Sequence, residues 1–182
     1  MSSFNVEVND QGARAALQSL SARVHNMAPV FHAIGEGIVE RTKHRFDTSS
    51  APDGTPWKAN SATTLKMLAT RLAGVKSNRK KDGSLNARGA RALAGKKPLI
   101  DSGFLRQQIV QNATPTALTV EATALYAAMH QFGGTTAANS MIPGKNIPAR
   151  PYLPIYQDGT LYPQERDLIL AEINGYLLEG LQ

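Results

Sequence analysis

The sequence predicts an α+β fold: a single domain with a small antiparallel sheet, about four helices and a long basic loop or arm. Three observations support it. Apolar residues alternate with polar ones in two short stretches, they recur at helical spacing in longer ones, and one stretch rich in Lys, Arg, Gly and Ser has few large apolar residues. A chain of 182 residues is long enough to bury one core. We therefore expect one domain over residues 1–182, with a flexible basic insertion at about 66–97.

A short strand and two helices are predicted in the first part of the chain. Residues 4–8 alternate apolar and polar side chains, which is typical of a half-buried strand. Asp10 is a suitable N-cap for a helix over about 11–26, and Pro29 suits the first turn of a second helix over about 28–47. The apolar positions that predict the first of these helices are Leu17, Leu20, Val24 and Met27.

A turn and a third helix are predicted next. In residues 52–57 the first proline presets φ, Asp53 can bond its local backbone and Gly54 accepts a positive φ, which together favour a turn. Trp57 is the only tryptophan in the chain, and a large ring directly after a turn is typical of a loop that is pinned to the core. Residues 63–75 have leucines at helical spacing and predict a helix.

The second half of the chain predicts two further helices with a strand between them. Asp101 or Ser102 is a candidate N-cap for a helix that runs to about Val110. Alternation at residues 117–123 predicts a strand. Residues 124–132 predict a short helix, which the following pair of glycines ends.

An extended segment and a long helix complete the predicted fold. Residues 135–147 are expected to form a loop. Residues 148–154 must be extended, because each proline disfavours the helical region for the residue before it. Asp158 and the glycine after it favour a turn, and Pro163 begins a last helix. The apolar positions of that helix are Leu168, Ile169, Ile173, Tyr176, Leu177 and Leu181.

The positive charge of the chain is concentrated in one segment. The net charge is +6 and the pI is about 9.7. Residues 66–97 contain ten basic residues and one acidic residue, a formal charge of +9, so the rest of the chain carries −3. The segment has no interleaved aromatic residues, and therefore lacks the stacking platforms of a single-strand binder.

Three interpretations of this segment stay open: a solvated flexible loop, an arm ordered against an acidic face of a neighbouring subunit, or non-specific contact with DNA phosphates. The candidate contacts with DNA or an acidic partner are Arg71, Lys76, Arg79, Lys80, Lys81, Arg88, Arg91, Lys96 and Lys97.

The sequence offers no credible active site, and we expect no enzyme activity, no metal and no cofactor. Cysteine is absent, which removes disulfides, thiolate metal sites and cysteine nucleophiles. His25 and His32 have no carboxylate or third ligand at metal spacing. Ser102 lacks the surrounding pattern of a nucleophile elbow, and no carboxylate pair is apparent for acid–base catalysis. The sequence also predicts neither a secretory signal nor a membrane-spanning segment.

Five motifs, in their order and separation, carry a resemblance to a known family. They are Arg45-Phe46, residues 52–57, residues 99–105, residues 126–133 and residues 147–153. With these motifs the chain resembles the phage virion morphogenesis family, the tail-completion proteins of Mu-like and P2-like phages, from about residue 10 to its C-terminus. A more distant likeness is to the head–tail joining proteins of long-tailed phages. Ser102 and Tyr152 are mild departures, since the family pattern usually has Thr and Phe there.

The resemblance implies a structural virion protein that acts in tail completion or head–tail joining, as a neck or tail-terminator component. It implies a homo-oligomer, with a hexameric ring expected, that is assembled in the host cytoplasm and contacts other phage tail or head–neck proteins. Contact with DNA in the channel is compatible with the basic segment. No membrane and no small-molecule substrate is expected. The alternative is a non-specific DNA-binding protein that acts through residues 66–97.

The motifs supply the candidate scaffold or subunit-interface residues. Tyr126, His130 and Phe132 form an aromatic-rich helical face, for which intramolecular packing is favoured over an inter-subunit contact. Arg150 lies on a stiff extended segment and is the best single candidate for a specific polar anchor; a carboxylate in its own chain and one across an interface are equally open as partners. The full set is Asp53, Gly54, Trp57, Gly103, Leu105, Tyr126, His130, Phe132, Arg150 and Tyr152.

Overall fold

The computed structural model describes residue 5, residues 10–140 and residues 142–179. The chain forms two compact units. The first comprises residues 1–39, 111–120 and 163–182, and the second comprises residues 40–110 and 121–162. The predicted α+β class is confirmed, since helices and two small sheets occur together.

The described residues form seven α-helices, three of them with eight residues or fewer, and four strands. The helices are α1 Gln11–His25, α2 Ala28–Thr48, α3 Ala62–Ala73, α4 Ala87–Ala94, α5 Phe104–Gln107, α6 Ala127–Phe132 and α7 Pro163–Leu178. The strands are β1 Ile109–Ala113, β2 Leu118–Ala122, β3 Gly134–Thr135 and β4 Asn146–Ile147. β1 pairs with β2 and β3 pairs antiparallel with β4.

The core of the first unit is built on the N-terminal half of α2. Val30, Ile34 and Ile38 are buried there. Gly35 lets the strands approach the helix closely, because a Cβ at this position would lie 2.9 Å from the side chains of Gln111 and Leu118. The half-buried residues that pack on this core are Met27, Phe31, Leu118, Val120, Ile169, Ile173 and Tyr176.

α1 is held to α7 mainly by polar contacts. None of its residues is buried. Arg23 donates to the backbone oxygen of Tyr176 at 2.5 Å, and its guanidinium lies 5.0 Å from the centre of the Tyr176 ring. Although Leu17 and Val24 occupy helical spacing, both side chains are exposed. Asp10 precedes the helix as predicted, but its carboxylate pairs with Arg14 instead of capping the backbone.

The predicted starts of three helices are confirmed, whereas the bounds and N-cap of the fourth predicted helix are wrong, and the loop expected over residues 135–147 begins and ends in β3 and β4. The first two predicted helices and the last one correspond to α1, α2 and α7. The helix predicted to run to Val110 ends at Gln107, because Ile109 and Val110 enter β1 and pair with β2. Its N-cap is Gly103, in the left-handed conformation with φ of 82°. The strand predicted over residues 4–8 falls, apart from residue 5, outside the described residues.

The basic segment contains more regular structure than predicted. The third predicted helix is α3, and residues 76–97 contain a 3-10 turn and α4 where a loop or arm is expected. The Asn86 side chain accepts hydrogen bonds from the backbone nitrogens of Arg88 and Gly89, both at 3.0 Å, and so caps α4. Gly89 is buried, and a Cβ there would lie 2.5 Å from the backbone oxygen of Asn78. The flexibility of this segment stays a prediction.

Candidate functional site

Three aromatic side chains from three of the sequence motifs meet at the centre of the second unit. The Phe46 ring lies edge-on to Trp57 with centroids 5.5 Å apart, and lies 5.2 Å from the Tyr152 ring. Phe46 and Tyr152 are fully buried. The Trp57 indole nitrogen donates to the backbone oxygen of Pro151 at 2.9 Å. Trp57 is therefore held against the core, as predicted.

The 52–57 turn that presents Trp57 has the predicted chemistry. The Asp53 carboxylate accepts a hydrogen bond from the backbone nitrogen of Thr55 at 2.9 Å, and Gly54 has a φ of 84°. Ser50 and Pro56 form an antiparallel bridge across the base of the turn. Both candidate residues of this turn act locally on the backbone.

Tyr152 links the extended segment to α6. Its hydroxyl donates to the backbone oxygen of Ala127 at 2.9 Å, while its own backbone oxygen accepts from Arg45 at 2.9 Å. Burial raises the pKa of the Tyr152 hydroxyl far above its usual value. The hydroxyl therefore stays protonated and serves as a hydrogen-bond donor.

Gln131 holds the extended segment with four hydrogen bonds, although it is not among the residues predicted from the sequence. Its amide oxygen accepts from the backbone nitrogens of Tyr152 and Leu153, at 2.9 and 3.0 Å. Its amide nitrogen donates to the backbone oxygens of Leu153 and Ile155, at 2.9 and 3.0 Å. Only 2% of Gln131 is exposed. Its position inside one of the five motifs was the available signal.

Arg150 is buried and bonds to backbone, not to a carboxylate. Its guanidinium donates to the backbone oxygens of Lys58 and Ala59, at 2.8 and 2.9 Å, and only 7% of the residue is exposed. Burial lowers the pKa of Arg150 below its ordinary value. Within the described part of the chain no salt bridge reaches it. Of the two alternatives, a carboxylate of its own chain is excluded among those residues, whereas a carboxylate across an interface stays a prediction.

A cleft of about 890 Å³ opens on the second unit beside Arg150. α3, residues 99–105, α6 and residues 142–150 contribute its walls. Leu105 is buried beneath it, and Gly103 provides the turn before α5. The large side chains that line the cleft and are also exposed are Met67, Phe104, Tyr126 and Ile142.

The predicted aromatic face of α6 is divided by the fold. Tyr126 and His130 line the cleft and meet edge to face with ring centroids 5.6 Å apart. Phe132 is half-buried and does not line it. The His130 Nδ1 atom is buried without a hydrogen-bond partner. Burial, and secondly the charge of Arg150, lower the pKa of His130, so the ring is neutral at pH 7.

One carboxylate and several cations set the electrostatics of the cleft. Asp101 contacts Arg71 and Lys96, each at 2.6 Å, and hydrogen bonds from these two cations hold the pKa of Asp101 far below its usual value. Lys145 also lines the cleft and, in the described ranges, has no salt bridge. The cleft therefore has four cationic side chains, Arg150 included, against one carboxylate.

The basic segment divides into anchored and unpaired cations. Lys97 donates to the backbone oxygen of Asp47 at 2.7 Å, and Lys96 and Arg71 pair with Asp101 as described. The other candidates are exposed, and none forms a salt bridge with another described residue. They are Lys76, Arg79, Lys80, Lys81, Arg88 and Arg91.

The described residues show no candidate metal centre. They contain no group of three or more His, Asp or Glu side chains that could hold a metal ion. None of their helices is long and apolar enough to cross a bilayer. The sites that the structure does assemble are a scaffold and two surfaces: the cleft and the basic segment.

Comparison with known families decides what kind of protein carries these surfaces. The model of the phage virion morphogenesis family matches residues 8–171, which include parts of both units and all five motifs. The chain belongs to the phage virion morphogenesis family. The resemblance inferred from the motifs is thus confirmed.

Family membership fixes the coarse role of the protein. The family consists of structural and assembly proteins of phage virions, so this is a virion-associated protein with a structural or assembly role. The family is not known for enzyme activity. No curated protein and no solved structure matched the chain.

Proposed function

We propose that this protein completes the tail or joins the tail to the head, and that it does so as a ring-shaped oligomer, a hexamer in the simplest case. The observation that carries the proposal is the family match over residues 8–171. A ring is built from heterologous contacts, in which two different surfaces of each chain meet and the rotation closes. The proposal therefore needs a rigid subunit with at least two separate contact surfaces.

The scaffold of the second unit meets the first need. The motifs bury Phe46, Trp57 and Tyr152 together, and Gln131 and Arg150 bond backbone on distant segments. A ring subunit benefits from such rigidity, because the entropy of ordering is lost in folding and not again on assembly.

The exposed cleft and the basic segment supply candidate surfaces. The cleft is lined by exposed apolar side chains, which are typical of a surface that a partner covers. The six unpaired cations suit either an acidic neighbouring face or the DNA that passes through a tail or neck channel.

Quantification and localisation of the protein in purified virions test the proposal. A gold label on a tag is expected at the head-proximal end of the tail or at the neck, and the copy number is expected to correspond to one ring. Labels along the tail shaft or inside the capsid, or a copy number of hundreds, would contradict it.

Non-specific DNA binding is the second candidate function, and the unpaired cations favour it. It predicts binding to any duplex that weakens steeply with salt, with a log–log slope of about −0.9 for each phosphate neutralised. Neutralising Arg79, Lys80 and Lys81 to Gln would then lower the magnitude of that slope by roughly 3. Lys58→Gln, an exposed lysine outside the segment, is the matched control. Weak binding with unchanged slope would rule this candidate out.

A further inference from the structure

The cleft of the second unit has the apolar character of a docking surface. Met67 is 64% exposed, and Phe104, Tyr126 and Ile142 are between 45% and 47% exposed around the same opening. Exposing these side chains to water is unfavourable by roughly 25 cal/mol for each square ångström of apolar surface. Covering them on association therefore favours binding of an apolar partner.

The charge of the cleft selects an acidic partner. Asp101 balances part of the charge of Arg71 and Lys96, whereas Arg150 and Lys145 have no salt bridge in the described ranges. Arg150 donates to the backbone oxygens of Lys58 and Ala59, but its buried charge is not neutralised by a carboxylate of the described residues. A partner that brings carboxylates as well as apolar side chains would complement both properties.

α7 is the helix of this chain that combines exposed leucines with acidic side chains. Its outward face presents Asp167, Leu170, Asn174 and Leu178 at intervals of three and four residues, and the two leucines are 50% and 57% exposed. Residues 163–179 contain four acidic residues and one basic residue. Glu165 is buried, Asp167 pairs with Arg166 and Glu179 pairs with Arg23 of α1, so Glu172 supplies the excess negative charge on the accessible part of the helix.

α1 also has exposed apolar residues, and its charge distinguishes it from α7 as an occupant of the cleft. Leu17 and Val24 are exposed to a similar degree, at 66% and 53%. However, α1 contains no acidic residue, and its two arginines, Arg14 and Arg23, pair with carboxylates outside the helix, those of Asp10 and Glu179. α1 therefore has no carboxylate of its own to offer to the cations of the cleft, which disfavours its docking there relative to α7.

We propose that α7 of one copy of this chain docks into the cleft of the next copy. The contact joins two different surfaces, the cleft on one chain and α7 on its neighbour. Each chain therefore binds one neighbour through its cleft and another through its α7. Repetition of such a head-to-tail contact produces a ring when the rotation closes. The inference rests on the ring-shaped oligomer of the proposed function and names the surfaces that build it.

Cross-linking tests the contact directly, because the natural chain contains no cysteine. Met67→Cys is placed in a chain with one tag and Leu170→Cys in a chain with another, and the two are mixed and treated with a short bismaleimide. Leu17→Cys replaces Leu170→Cys in the matched control. We expect a cross-linked species that carries both tags with Leu170→Cys and at least tenfold less of it with Leu17→Cys. Equal yields, or products only between two Met67→Cys chains, would overturn the inference.

A charged substitution separates this inference from the ring proposal. Leu170→Asp is expected to reduce the oligomer to monomers in light scattering while the helical signal in far-UV circular dichroism stays native, whereas Leu17→Asp leaves the oligomer intact. An oligomer that survives Leu170→Asp refutes the contact and leaves the ring standing. A natural chain that is monomeric in solution and single-copy on virions refutes both.

Discussion

Gln131→Leu removes the side chain that holds the extended segment to α6, and its effect can be estimated from the contacts. Leucine has nearly the volume of glutamine but makes no hydrogen bond. The substitution leaves two backbone nitrogens and two backbone oxygens of residues 152–155 without their partner. At about 1 kcal/mol of net stability for each bond, the loss is about 4 kcal/mol. That is a large part of the roughly 5–15 kcal/mol that stabilises an ordinary domain.

Urea unfolding followed by tryptophan fluorescence measures this loss. Trp57 is the only tryptophan and lies in the same buried cluster, so its emission reports on the second unit. Gln107→Leu makes the same change at an exposed position in α5 and should alter the free energy of unfolding by no more than about 0.5 kcal/mol. A Gln131→Leu variant that loses less than about 1 kcal/mol would refute the assignment of Gln131 as the central clamp.

Three further predictions concern the same unit. Gly133→Ala should lower the free energy of unfolding by at least about 1–3 kcal/mol from backbone conformation alone, because φ is 74°. The new Cβ would also lie 2.7 Å from the backbone nitrogen of Ala149. The control is Gly175→Ala, whose Cβ would meet no atom within 4 Å, and equal thermal midpoints for the two variants would contradict the prediction. The lowered pKa of His130 means that the unfolded chain binds a proton that the folded chain does not, so stability should fall as the pH drops through about 6.5. His130→Gln should flatten that dependence, and parallel stability curves for the variant and the natural chain would show the reasoning to be wrong. Arg150→Lys should lower the free energy of unfolding, measured in urea, by about 2 kcal/mol, since one ammonium cannot reproduce the guanidinium fork that reaches two carbonyls. An unchanged urea midpoint would argue against a stabilising role for these two hydrogen bonds of Arg150.

Features that depend on neighbouring residues could be predicted from the sequence. The 52–57 turn needs only a proline, an aspartate and a glycine in order, and Asp53 and Gly54 behave as expected. The bounds of α1 and α2 and the start of α7 follow from apolar spacing and from the positions of prolines. The prolines also made residues 148–154 extended, which is how Arg150 and Tyr152 come to lie on a stiff segment.

Features that depend on distant partners could not be predicted in this way. Ile109 and Val110 continue a helical pattern locally, and only their pairing with β2 makes them a strand. A glutamine in a short helix is ordinarily expected to face water, so the buried role of Gln131 required knowledge of residues 152–155. The partners of Arg150 are loop carbonyls about ninety residues away, which carry no side-chain signal.

The same distinction between neighbouring and distant determinants applies to the candidate site residues. Trp57 was expected to pin a loop to the core, and its ring lies in one buried cluster with Phe46 and Tyr152. For Tyr126 and His130, intramolecular packing was favoured over an inter-subunit contact; the two rings pack against each other and also line the cleft, where Tyr126 is 45% exposed. Asn86 is a residue type that commonly caps helices, and it caps α4. Its side chain also donates to the backbone oxygen of Ser77, a contact that the sequence does not reveal, so the short α4 was not predicted.

Electron microscopy of lysates from the protein's own phage, with this reading frame deleted, tests the central claim most directly. Tail completion or head–tail joining predicts filled heads that accumulate beside unattached or irregular-length tails, and rescue when the natural chain is supplied in trans. Normal, infectious virions from the deletion would contradict the account and would direct attention to DNA binding by the basic segment.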